Sequence, residues 1–108
     1  MFKISNTTMS IIRGDSGEFL VNVTDDEGQD YTFEEGDILT FTVKKNTNTS
    51  DYLIQKTSTS GLFEIEPSDT NRLRYGSYKY DVQFSKENGY VDTIIGPADF
   101  IVLEEVTF

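Results

Sequence analysis

From Tyr78 to Ser85 apolar and polar side chains alternate without a break: Tyr78, Tyr80, Val82 and Phe84 against Lys79, Asp81, Gln83 and Ser85. Successive strand side chains leave opposite faces of a sheet, so a period of two marks a strand with one buried face and cannot build the apolar stripe of a helix. The division recurs in Phe19, Val21 and Val23 against Asn22 and Thr24, and in Leu39, Phe41 and Val43 against Thr40, Thr42 and Lys44. No segment carries a convincing helical period. The pattern predicts an all-β chain with strands over residues 9–13, 18–24, 38–45, 52–57, 62–66, 77–86, 90–95 and 99–106.

Turn chemistry fills the gaps: Asp25-Asp26-Glu27-Gly28, Glu35-Gly36-Asp37, residues 46–51, and Asn88-Gly89. Both residues of Asn88-Gly89 tolerate positive φ, which predicts a two-residue type I′ hairpin joining 77–86 to 90–95. Gly96-Pro97 interrupts the apolar run "DTIIGPADFIVL"; proline gives no N–H to a ladder, so the chain is expected to kink or change sheets there. Residues 67–73, "PSDTNRL", are the one helical turn, with Ser68 or Asp69 as the cap of a crossover between sheets.

The 108 residues suffice for one core, so residues 1–108 are read as a single domain. With no Cys there are no disulfides or thiolate metal sites, and with no His the usual general base near neutral pH is missing. Nine Lys and Arg against 19 Asp and Glu give a formal charge of −10, a field that repels phosphate backbones and anionic membranes. Nucleic acid is not an expected partner. No run approaches the ~18 apolar residues of a membrane span, and the amino terminus lacks a basic segment followed by an apolar one. A soluble chain without a signal peptide is the expectation.

Four features invite functional readings. Arg13-Gly14-Asp15 matches a cell-adhesion triplet, but glycine's permissive backbone and the ability of Asp15 to accept from nearby amides read as a turn closing the first strand. The acidic stretch 24–37 invites calcium, yet registering the calcium-loop template on Gly28 puts the first ligand position on Val23, which has no side-chain oxygen. A looser site from Asp25, Glu27 and Asp30 competes with a solvated turn. Glu34, Glu35, Asp37, Glu64 and Glu66 supply carboxylates, but nothing places two across a cleft as glycoside hydrolysis requires. Neither catalysis nor a cofactor is expected. Tyr52, Tyr75 and Tyr90 fall at strand or loop ends, where rings stack on sugars or on a protein partner.

The order "IIRGDSGEFLVNVTDDEGQDYTFEEGDILTFTVK", "GLFEIEPSDTNRLRYGSYKYDVQF", "NGYVDTIIGPADFIVLEEVT" resembles the small immunoglobulin-like domains encoded among tail genes of phages and prophages of Gram-positive hosts, including the amino-terminal domain of the baseplate upper protein. In that pattern an Arg-Gly-Asp turn precedes the first long strand, an acidic turn leads to "GD" and an apolar strand, and a glycine opens "YKYDV". The resemblance spans residues 9–107. It implies an immunoglobulin-like antiparallel β-sandwich of seven to eight strands in which Tyr78 bonds back across its corner. It further implies a non-enzymatic assembly module of a tail or baseplate, made in the bacterial cytoplasm and carried in the virion. Partners would be other virion proteins, in a homo-oligomer or hetero-assembly, docked through a sheet edge or apolar patch. Residues 99–108 are apolar on both faces, which makes Phe100, Val102, Val106 and Phe108 the candidate interface, with a doubly buried core strand as the competing reading. The alternative function is a glycan- or receptor-binding sandwich on a virion or cell surface.

Overall fold

The computed structural model describes residues 2–5, 7–25 and 27–105, the first four by their backbone alone. Eight strands and one helical turn follow one another: β1 (Phe2–Ser5), β2 (Thr8–Ile12), β3 (Gly17–Leu20), β4 (Ile38–Lys44), β5 (Ile54–Ser58), β6 (Leu62–Ile65), α1 (Pro67–Thr70), β7 (Gly76–Ser85) and β8 (Val91–Leu103). They form a sheet ordered β1-β2-β8-β7-β4-β5 and a second sheet of β3 and β6. The chain is all-β, a sandwich-like arrangement of two sheets whose alternating strands meet face to face.

The alternation decides which faces close. Leu39, Phe41 and Val43 from β4, Tyr80, Val82 and Phe84 from β7, and Phe19, Phe63 and Ile65 from the small sheet are buried in one cluster. Phe41, fully buried, sits at its centre, with ring centroids 5.1 Å from Phe19, 5.9 Å from Phe63, 5.6 Å from Tyr80 and 6.2 Å from Phe100. Edge-on and tilted ring pairs at these distances add to what burial alone contributes. At the corner entering β7, Tyr78 Oη donates to the Arg74 carbonyl at 2.7 Å.

Several expectations need correction. The sandwich is not wholly antiparallel, because β2 runs parallel to β8 from Met9 beside Phe100 to Ile12 beside Leu103. Parallel strands cannot share a hairpin, and here the rest of the sandwich is the connection. β1, unanticipated, pairs antiparallel with β2. The expected strand 18–24 leaves the sheet after Leu20, although Val21 is still buried. Gly96-Pro97 does not reroute the chain: β8 is one strand of 13 residues. Its register against β7 slips twice, between Tyr80 and Val82 and between Val82 and Gln83, so the extra residues are taken up as bulges. A bulge leaves ladder positions unpaired, which is where a residue without N–H fits.

The β7–β8 turn is also longer than Asn88-Gly89 predicts. Lys86 N–H donates to the Tyr90 carbonyl and Gly89 N–H to the Lys86 carbonyl, so the loop is Glu87-Asn88-Gly89, with only the glycine needed at positive φ (+94°). This is the three-residue hairpin closed by a left-handed residue. In α1 the cap is neither Ser68 nor Asp69; Glu66 stands at the N-cap and the Asp69 carboxylate accepts its N–H at 2.7 Å. Asp69 also pairs with Lys56 at 2.7 Å, tying the turn to β5.

Candidate functional site

The register sorts every candidate to one of two ends. β3 and β8 place Gly17 and Leu103 at the end that also holds α1 and the start of β7. The opposite end holds Leu20, Leu62, Ile38, Ser85 and Val91.

At the first end Arg13-Gly14-Asp15 forms a turn, with Asp15 N–H donating to the Ile12 carbonyl at 3.0 Å and Gly14 at φ +86°. Neighbours take up its side of the molecule. Gly14 N–H donates to Thr70 Oγ1 at 2.9 Å, and Thr70 is fully buried. Arg13 Nε donates to Glu105 Oε1 at 2.9 Å, its Nη2 makes a second bond to the same oxygen, and Nη1 reaches the Leu73 carbonyl at 3.3 Å. The guanidinium lies 4.5 Å from the centroid of the Tyr75 ring, and Tyr75 Oη donates to Glu105. Arg13 therefore holds the Glu105 carboxyl below the ordinary value, chiefly through this hydrogen bond. An arginine committed to a carboxylate, a carbonyl and a ring is a clasp between three segments, not a displayed ligand.

At the second end the long segment 21–37 folds over β7 and β8. Asp25 Oδ1 accepts from Glu27 N–H and Gln29 N–H at 2.9 and 3.0 Å, which shapes the acidic turn from within. Among the described residues no three acidic side chains converge, so Asp25, Glu27 and Asp30 do not form a cage. Deeper in, Tyr31 Oη donates to Asp37 Oδ2 at 2.6 Å, Glu34 N–H donates to the same oxygen at 2.8 Å, and Lys86 Nζ donates to Tyr31 Oη at 3.2 Å. The hydroxyl and then the amide hold the Asp37 carboxyl below its ordinary value. Between this network and the hairpin lies a groove of about 460 Å³. Sequence reading missed it, because its walls are 60 residues apart in the chain.

The interface candidates separate. Phe100 and Val102 are buried core side chains, and β8 lies between β2 and β7, so these two side chains are turned inward and the strand presents no free edge there. The run is apolar on both faces because its inner face closes the core while Ile101 and Leu103 point outward. Val106 and Phe108 lie outside the described residues. The exposed apolar pair is elsewhere: Leu20 and Leu62 stand opposite each other on the outer face of the small sheet, 60% and 45% exposed, next to the facing pair Glu18 and Glu64. Val21 N–H bonds the Gly61 carbonyl at 2.8 Å. By the antiparallel alternation, Leu20 and Leu62 then form a non-hydrogen-bonded pair, whose side chains approach closest, and the Glu18 and Leu20 amides point away from β6.

Of the three end tyrosines, Tyr75 lies under Arg13, Tyr52 is exposed beside β5, and Tyr90 lines the groove. No protein-family model matches this chain, and no curated protein matches it by sequence.

Proposed function

We propose that the chain is a non-enzymatic structural module of a phage tail or baseplate, which docks on other virion proteins through the small sheet. The observation that carries this is the Leu20–Leu62 pair, in register and solvent-exposed on a sheet of only two strands whose outer edges are unpaired among the described residues. Open edges supply directional backbone hydrogen bonds, and an adjoining apolar pair supplies area removed from water on docking. The resemblance of the order of its sequence motifs to phage tail domains supports this choice of assembly. Binding of this kind asks no chemistry of a chain without His or Cys.

The test uses purified particles of the phage or prophage that encodes the chain. Mass spectrometry and immunogold labelling are expected to find it in tails, and a Leu20→Asp/Leu62→Asp variant that still folds is expected to be lost from them. Particles devoid of the protein, or full incorporation of the double variant, would refute the proposal.

A further inference from the structure

The groove at the hairpin end is built by three alternating segments. Tyr90, Asp92 and Ile94 reach it from β8 and the residue before it, Phe84 and Lys86 from β7 and the residue after it, and Val23 and Asp25 from the covering segment. Period two again places these side chains on one side. Phe84 is buried, and Val23 and Ile94 are partly buried against the core, so they make an apolar floor. Tyr90, 52% exposed, stands at the rim as a wall. Exposed Asp25, Asp92 and Asn88 line the opening.

We infer that this groove binds a neutral saccharide, with a sugar ring stacked on Tyr90 and its hydroxyls donating to the carboxylates of Asp25 and Asp92. The inference goes beyond the assembly role and stands independently of it. A tyrosine ring offers a flat apolar face to sugar C–H groups and needs only two torsions fixed. Hydroxyl donors to ionised carboxylates make bonds roughly twice as strong as neutral ones. The Asp25 turn is held through Oδ1, which accepts from the Glu27 and Gln29 amides and fixes the carboxylate at the groove's edge. An acidic ligand meets two carboxylates and a formal charge of −10, while the one cation, Lys86, already donates to Tyr31 and lies 5.2 Å from its ring centroid. A ligand rich in neutral donors fits where an anion does not.

The site is also set in advance. Tyr31 is held by Asp37 and Lys86, and the Tyr90 backbone is held at both ends, its N–H by Asn88 Oδ1 at 3.0 Å and its carbonyl by Lys86 N–H at 2.9 Å. A fixed backbone beneath the ring lowers the ordering cost of binding. The groove falls within the roughly 300–1,000 Å³ typical of small-molecule sites.

The experiment is a ¹H–¹⁵N correlation titration of the intact chain with neutral di- and trisaccharides of glucose, galactose, rhamnose and N-acetylglucosamine, beside uronic-acid trisaccharides of matched length. The expected result is saturable shifts at Asn88, Tyr90 and Asp92 with a neutral member, and weaker binding of the acidic ones. Tyr90→Ala weakens affinity at least about tenfold, the order of losing one stacked ring, and Tyr52→Ala leaves it unchanged. Because Tyr90 is half exposed the variant is expected to fold; Asp92→Asn, which keeps shape, gives a second reading. No shift with any neutral member, shifts centred on Tyr52, or undiminished affinity in both groove variants would overturn the inference. Loss of saccharide binding with virion incorporation intact would separate this site from the leucine pair.

Discussion

Phe41→Ala tests the account of the core most directly. Phe41 is fully buried and touches four other rings, from β3, β6, β7 and β8, so one truncation loosens both sheets at once. Removing a buried phenylalanine ring costs about 3–5 kcal/mol in lost transfer energy and cavity formation. Four ring–ring contacts, each worth about 0.5–1.5 kcal/mol in favourable geometry, place this site toward the upper half of that range. A domain's total stability is about 5–15 kcal/mol, so the variant is expected to be marginal. At about 4 °C per kcal/mol for a chain of this size, the melting temperature falls by about 15 °C or more. Urea titrations followed by circular dichroism and tyrosine fluorescence at 25 °C measure the difference, with Leu20→Ala as the exposed control, expected within about 0.5 kcal/mol of wild type. A Phe41→Ala loss below about 1 kcal/mol, or equal to that of Leu20→Ala, would refute the claim that the ring cluster joins the sheets.

Gly96 has φ +123°, and a Cβ there would lie 2.5 Å from the Asp81 Cβ; Gly96→Ala is expected to lose at least about 1–3 kcal/mol in the same titration. Thr70→Val keeps shape but strands the Gly14 amide, at an expected cost of about 1–3 kcal/mol, whereas Thr70→Ser retains the bond and costs less. The pH dependence has two opposing parts. Glu105 and Asp37 are held below their ordinary values of 4.5 and 3.8 by their hydrogen bonds, so they stabilise the fold above those values and the contribution is lost as pH falls toward their lower folded values. Burial raises Asp81 above 3.8, so its charge destabilises the fold near neutrality and protonation relieves this. Asp81→Asn is therefore expected to steepen the fall of the urea midpoint on acidification and Glu105→Gln to flatten it; an unchanged slope in both variants would contradict this.

Where one local rule sets the outcome, the sequence was readable. Alternation located β4 and β7 to within a residue or two and assigned their inward faces, and the glycine before Tyr78 marked the corner. Failures arose where a distant partner decides. Phe100 and Val102 look the same in sequence whether β8 is an edge or an interior strand, and only β2, some 90 residues away, makes it interior. Gly96-Pro97 carries a valid breaking signal, yet β7 on one side tolerates two bulges and keeps the strand whole. Arg13-Gly14-Asp15 was legible as a turn, but Glu105, which occupies its arginine, is 92 residues downstream. The groove has no sequence signature, since each wall alone is an ordinary strand end.

The two ends of the sandwich differ in kind, and this orders the functional readings. At the Arg13 end an ion pair, a capped helical turn, a fully buried threonine and the Tyr78 corner bond join β2, α1, β7 and the segment after β8. Polar groups there are spent on one another, which favours rigidity and leaves few to offer a partner. At the other end Leu20, Leu62, Ile38, Tyr90 and Val91 are exposed, beside carboxylates that face water. Five of the eight large apolar side chains exposed among the described residues lie at this end, with Tyr52, Tyr75 and Leu103 elsewhere, and a grouping of this kind favours a binding surface. The facing pair Glu18 and Glu64 beside the leucine pair sets like charges against each other when two copies meet, which biases that surface toward a neutral or basic partner. If salt does not alter self-association of the isolated chain, as analytical ultracentrifugation from low to high ionic strength would show, this electrostatic bias is absent and the choice of partner rests on shape alone.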